Sequence, residues 1–418
     1  MPKSPSVPTV PRRTRSGPFT SMVLLGPAFV AAIAYVDPGN VAANLTAGAN
    51  YGTLLLWVLV LANLVAVIVQ YQSAKLGIVT GRSLSEALGD RLSTWPRRAY
   101  WLQAELVAAA TDVAEVLGGA IALHLLFGLP LWLGGIIVGI ASMLLLSIQS
   151  RRGQRTFEAV IISLLAVIVV GFVAGLFVTG LNPSEVVAGL VPRFEGVQSV
   201  LIATSMLGAT VMPHAIYLHS ALARDRFGAN VPVERIPTLL KATRVDVVAA
   251  LVIAGTVNIA MLLLAATALQ GVAGTDTIEG AHAAIVVALG PAIGVIFAIG
   301  LLASGLASTS VGTYAGQSIM GGLLKIKVPV LARRAITLVP AVIILAIGVD
   351  PTSALVVSQV VLSFGIPFAL IPLVSITSSK KELGQFANAT WLRIAGWVAA
   401  GLITVLNVVL IVLVVTGA

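Results

Sequence analysis

Asp37-Pro38-Gly39-Asn40 interrupts the first long apolar stretch of the chain, which runs from Met22 to Ala43. A charged side chain at mid-bilayer costs roughly 2.5–3.5 kcal/mol on insertion scales. A proline followed by a glycine breaks a helix. The stretch therefore marks a discontinuous membrane helix. A second interruption, Ala209-Thr210-Val211-Met212-Pro213-His214, lies 175 residues further on (213 − 38), again inside an apolar run. Two interrupted hydrophobic segments in corresponding positions of two halves point to the substrate site of a transporter.

Proline chemistry says what each interruption exposes. A proline at position i leaves the carbonyl of residue i−4 without its helical partner. Those carbonyls belong to Ala34 and Ala209. The residue before a proline is pushed out of the α region, which applies to Asp37 and Met212. With the amide of Asn40, the two breaks offer one carboxylate, one amide, two carbonyls and one thioether. Hard Mg²⁺ and Ca²⁺ prefer oxygen alone, whereas a thioether suits a softer divalent metal.

The rest of the chain fits a membrane setting. Of its 418 residues 58% are hydrophobic and only 10% charged, with a mean hydropathy of +1.03. A soluble domain carries about 25% charged residues, so the fold class is all-α integral membrane. The net charge of +9 would suggest a nucleic-acid partner in a soluble chain. Here it reads as basic loops facing anionic lipid, with the bilayer as partner and no nucleic acid. No cysteine is present, which excludes disulfides and thiolate metal sites.

Runs of about 20 apolar residues span a bilayer. Eleven are expected, near 21–45, 53–77, 98–127, 131–149, 157–180, 197–223, 245–270, 282–308, 331–349, 352–374 and 391–416. Residues 1–20, rich in proline and arginine, read as a disordered cytoplasmic tail. Arg12, Arg13 and Arg15 followed by an apolar run have the outline of a signal peptide. Cleavage there would discard the segment just before Asp37, and the run continues past it. With the N-terminus inside, every Lys and Arg except Arg193 falls in an inner segment. This asymmetry predicts a multi-pass protein of the cell membrane, with a cytoplasmic N-terminus and an extracytoplasmic C-terminus. Residues 21–180 and 197–374 form two five-helix repeats, each opening with a broken helix. Five is odd, so the second repeat is inverted. Residues 391–416 add an eleventh helix to a single transport domain.

At these residues the chain resembles the natural resistance-associated macrophage protein (NRAMP) family of divalent metal transporters, in its bacterial manganese branch. The resemblance rests on Asp37-Pro38-Gly39-Asn40 and Met212-Pro213-His214 and covers nearly the whole chain. It implies a LeuT-type inverted-repeat fold with helices 1 and 6 discontinuous. It implies Mn²⁺ or Fe²⁺ as substrate, cotransported with protons. The metal ligands it implies are Asp37, Asn40, Met212 and the carbonyls of Ala34 and Ala209, with Gln359 beside the metal in some conformations. Met212 argues against the family's magnesium-transporting relatives, which lack the methionine.

Other intramembrane polar residues extend the picture. Glu105, Asp112 and Glu115 fall on one face of span 3 at 100° per residue. They read as a proton relay, or as partners for basic residues of another helix. The resemblance implies a proton route through Asp112 and Glu115 towards Arg333 and Arg334, which the positive-inside pattern explains equally well. For His214 it implies a part in proton coupling rather than metal ligation. His219 is either a second shuttle or a packed helix histidine. Gln70 and Asn258 are amides suited to interhelical hydrogen bonding.

The expected activity is inward secondary transport of Mn²⁺, with Fe²⁺ and Cd²⁺ as further substrates, coupled to protons. No cofactor and no obligatory protein partner are expected, and no enzyme motif is present. A small organic symporter, for an amino acid or amine, shares the architecture but has no need for Asp37 or Met212.

Overall fold

A computed structural model describes residues 26–275, 277–326 and 328–416. The expected tail at 1–20 and the first residues of span 1, 21–25, lie outside the described residues. Among the described residues all regular structure is helical. In chain order the helices are α1 (Pro27–Ala32), α2 (Pro38–Tyr51), α3 (Leu56–Thr80), α4 (Leu84–Arg91), α5 (Thr94–Phe127) and α6 (Leu131–Arg152). They continue as α7 (Gln154–Val173), α8 (Pro183–Ala188), α9 (Gly196–Thr210), α10 (Pro213–Phe227), α11 (Ile236–Ala268) and α12 (Ile278–Leu289). The last are α13 (Pro291–Leu323), α14 (Val330–Ala346), α15 (Pro351–Thr377), α16 (Lys380–Leu383) and α17 (Thr390–Thr416).

Eight of the membrane elements are long and apolar enough to cross a bilayer, counting α9 and α10 together as one broken span. The broken pair α1–α2, together with α6 and the 17-residue α14, completes the eleven expected spans among the described residues. One boundary needs correction. The run expected as span 8 at 282–308 divides at Gly290-Pro291, where Gly290 takes a φ of +94° and Pro291 opens a new helix. The segment before it, α12, has only 12 residues and is too short to span. The span is α13, which continues to Leu323. Span 7 likewise starts earlier than expected, at Ile236, which brings Lys241 and Arg244 into the helix.

The packing is that of a membrane protein. Large apolar side chains such as Leu64, Leu106, Leu144, Val252 and Val405 are more than half exposed. Polar ones, among them Asn44, Gln70, Asn258, Ser304 and Ser308, are buried. With lipid as the solvent, the hydrophobic effect no longer separates the two faces, and polar groups turn inward to find partners. Helix α13 lies against α5 and α7. The half-helix α2 packs on α11, α10 on α3, and α9 on α15. Each break thus packs against long helices.

Asn44, which opens the tripeptide Asn44-Leu-Thr46, donates to Asn258 Oδ1 at 2.9 Å and is buried, so it is a packing residue.

Candidate metal site

The chain unwinds at the first break through one 3₁₀ turn, Ile33–Val36, before α2 restarts at Pro38. Asp37 sits between the two with φ −71° and ψ 169°, the extended conformation expected before a proline. It caps α2: Oδ1 accepts from the Asn40 backbone N–H at 2.8 Å and from Asn40 Nδ2 at 2.7 Å. Oδ2 is buried and has no protein partner.

An unwound segment at membrane depth leaves carbonyls that cost several kcal/mol each if unsatisfied. Here side chains from three helices reach them. Ala34 O accepts from Asn40 Nδ2 at 3.4 Å, Tyr35 O from Asn258 Nδ2 at 2.7 Å, and Val36 O from Ser304 Oγ at 2.6 Å. The donors come from α2, α11 and α13. Asn258 thus does more than link helices generically, and Ser304 was missed in the sequence. Its signal was the Ser/Thr-rich run from Ser304 to Thr313 inside an apolar span.

The second break is shorter. Val211 and Met212 leave helical geometry (ψ 59° and 124°), and Pro213 opens α10. The carbonyl expected to be free, that of Ala209, accepts from Asn40 Nδ2 at 2.9 Å. Met212 and His214, the residues on either side of Pro213, are buried. The structure therefore brings the two breaks together on one side chain.

Asn40 differs from expectation in its orientation. Its Nδ2, not its Oδ1, faces the oxygen cluster of Asp37, Ala34 and Ala209. The two amide hydrogens serve three acceptors, so the 3.4 Å contact to Ala34 is the weakest. Oδ1 points instead to Thr210 Oγ1 at 3.5 Å. Half a turn about the terminal amide torsion exchanges the two atoms and would present the oxygen.

Gln359 belongs to this place. A Cβ on Gly39 would lie 1.8 Å from Gln359 Nε2, and one on Gly208 would lie 2.0 Å from the Gln359 carbonyl. Only glycines allow α15 to approach both breaks this closely. Gln359 Oε1 is buried with no protein partner. Among the described residues no three His, Asp or Glu side chains are grouped to hold a metal ion. The donors at the breaks are of mixed type instead.

The acidic face of span 3 continues from the site. Pro38 lies directly against Gly118 of α5, where a Cβ would fall 2.0 Å from the proline ring. One turn earlier, the Glu115 carboxylate is buried against Gly312 of α13, with no hydrogen-bond partner. Gly316, a turn further along α13, makes room for the Arg333 guanidinium. Arg333 pairs with Glu105 at 2.8 Å and with Asp112 at 3.5 Å, and Arg334 lies 3.8 Å from Asp112. Both arginines are buried, so the positive-inside pattern does not account for them. Two of the three span 3 carboxylates, Glu105 and Asp112, pair with α14, and Glu115 has no hydrogen-bond partner.

His214 Nδ1 lies 3.4 Å from Thr111 Oγ1, beside Asp112, and its Nε2 has no partner. His219 is held apart from the metal-site atoms, with Nδ1 2.8 Å from Gln70 Oε1. Gln70 in turn donates to the Tyr35 hydroxyl at 2.6 Å. This chain ties α3 and α10 to the 3₁₀ turn of the first break.

Comparison with known proteins agrees with this architecture. The divalent metal cation transporter MntH of Mycobacterium tuberculosis is 60% identical over 407 residues, covering 97% of this chain and 94% of the relative. Among solved structures, the Eremococcus coleocola manganese transporter superposes with a TM-score of 0.85 at 30% identity, over 95% of this chain and 88% of that one. MhsT, solved with L-phenylalanine, matches with a TM-score of 0.63 at 14% identity over 92% of this chain and 97% of that one, and shows the LeuT-type fold alone. The first two are named as transporters, not enzymes. The family model described as natural resistance-associated macrophage protein-like matches residues 28–413, and the chain belongs to that family.

Proposed function

We propose that this protein is a secondary transporter that carries a divalent transition metal into the cell by alternating access at the two helix breaks. Mn²⁺ is the first substrate, with Fe²⁺ and Cd²⁺ as others, and protons move with the metal. The observation that carries this reading is the convergence of Asp37 Oδ1, Ala34 O and Ala209 O on the single Nδ2 of Asn40. Three oxygens gathered around one positive donor are the arrangement a cation would take over. The unpartnered Asp37 Oδ2 and Gln359 Oε1 add acceptors nearby. Met212 supplies the soft donor that disfavours Ca²⁺ and Mg²⁺. The names of the relatives support the metal.

Residues 21–180 and 197–374 act as the two inverted repeats that rock against one another, and 391–416 lies outside them. The N-terminus faces the cytoplasm. A dication moving inward gains about 4.6 kcal/mol per 100 mV of membrane potential, enough for the potential to drive uptake without protons. The proton path runs from Asp37 past His214 to Glu115 and Asp112, and then along Arg333, Arg334 and Glu105. When metal arrives at Asp37 it displaces the proton, and the unpaired Glu115 receives it. No cofactor takes part.

Mn²⁺ uptake into proteoliposomes, with excess Mg²⁺ and Ca²⁺ outside and a pH dye inside, tests this. Saturable uptake that resists both competitors and acidifies the lumen is expected. Uptake without acidification would remove the coupling, and active protein that moves no Mn²⁺ would sink the metal reading.

A further inference from the structure

Helix α15 contains Pro367, which cannot donate to the carbonyl four residues back, that of Ser363. At membrane depth such a carbonyl needs another donor. It has one on the helix outside the repeats. Asn407 of α17 donates from Nδ2 to Ser363 O at 2.8 Å, and its Oδ1 lies 2.7 Å from Ser363 Oγ, whose one proton it shares with Val360 O. Both residues are buried. One amide thus closes a two-bond clasp on the point where α15 is interrupted.

That point lies one turn from the metal site. Gln359 precedes Ser363 by four residues, and the Ser363 Cβ sits against Gly208 with the Gln359 carbonyl. Gln359 reaches Gly39 from the same turn. A shift of α15 at Ser363 therefore moves Gln359 relative to both breaks.

We infer that Asn407 is a positioning residue for the metal site: by replacing the hydrogen bond that Pro367 removes, the eleventh helix sets where Gln359 stands against the two breaks. This rests on the reading of Gln359 as a site residue given above. It gives α17 a task in the transport cycle. When α15 bends, the Ser363 carbonyl keeps its partner only if α17 follows it.

Coupling between substitutions tests the inference, with Mn²⁺ KM and maximal rate measured separately in proteoliposomes. Asn407→Leu is expected to raise KM about threefold, the net loss of one interhelical hydrogen bond of average strength, because the Ser363 hydroxyl retains Val360 O as acceptor, with little change in maximal rate. In a Gln359→Ala background the same substitution should add nothing. In a Pro367→Ala background, where the helix can supply its own donor to Ser363 O, it should again have no effect. Ser363→Ala, which leaves the carbonyl bond in place, is a milder second variant and should show a smaller shift of the same kind. A threefold effect of Asn407→Leu that persists unchanged in both backgrounds would make Asn407 an ordinary packing residue and overturn the inference. So would an effect on maximal rate alone. If Gln359→Ala itself leaves Mn²⁺ KM unchanged, the reading of Gln359 fails and the inference falls with it, whatever Asn407 does.

Discussion

The two helix breaks are built from the same device, a proline that restarts a half-helix, but they are finished differently. The first has a charge and three carbonyls capped by side chains from α2, α11 and α13. The second has no charge, spans two residues, and leans on Asn40 of the first for its freed carbonyl. The first is a frame braced around the carboxylate by side chains of three helices. The second carries a buried thioether and histidine, Met212 and His214, and its capping depends on the first. In the proposed function this assigns charge recognition to the first break and selectivity to the second.

Substitutions can break this division of labour or sharpen it. Asp37→Ala should lower Mn²⁺ uptake by about 100-fold or more, since even outer-shell partners of metal ligands cost 10- to 100-fold. Residual uptake above a few per cent would move the charge recognition elsewhere. Met212→Ala should keep uptake but weaken Cd²⁺ and Mn²⁺ by about tenfold and let Ca²⁺ compete. If Ca²⁺ is still rejected, selectivity does not lie in the second break. Ser304→Ala leaves Val36 O bare and should destabilise the protein by about 1–3 kcal/mol, seen as a lower Tm in detergent. An unchanged Tm would mean that the first break is not held as a frame.

The smallest effect belongs to a control far from both breaks. Arg91 and Arg82 hold the Glu382 carboxyl below the usual carboxylate range, Arg91 by the larger share through a 2.7 Å contact. A depressed carboxylate stabilises the fold above its unfolded titration range, near pH 4.3. That contribution is lost as pH falls through the folded value. The Tm difference between the protein and Glu382→Gln should be slight at neutral pH and vanish in acid, with Mn²⁺ uptake untouched.

How much of this could be read in advance depended on the range of the interaction. Pro38 and Pro213 act on their own backbone, so the breaks, the extended Asp37 and Met212, and the freed Ala34 and Ala209 carbonyls were all legible from local chemistry. The α12–α13 division was not, because Gly290-Pro291 interrupts the helix without interrupting the hydropathy. Nor was the capping by Asn258 and Ser304, which depends on which helices pack against the 3₁₀ turn. Arg333 and Arg334 look like boundary residues to any count of charge. Their burial follows from the room left by Gly316 and the carboxylates of α5, and neither is local to them. The amide orientation of Asn40 depends on two nearby acceptors, Asp37 and Ala34, and on a third, Ala209 O, from a segment 169 residues away, so no single stretch contains it.

The capping of the first break has one more consequence. In water, exposed carbonyls are solvated by molecules that come and go, and a hinge bends freely because its solvent rearranges. Ala34, Tyr35 and Val36 have no such solvent at membrane depth. Asn40, Asn258 and Ser304 stand in for it, and each is anchored to a different helix. The hinge brings its own hydration shell, fixed in number and covalently tethered. In the proposed cycle, bending within the reach of those tethers keeps the carbonyls partnered by protein, so the same contacts would serve both the motion and the exclusion of bulk water.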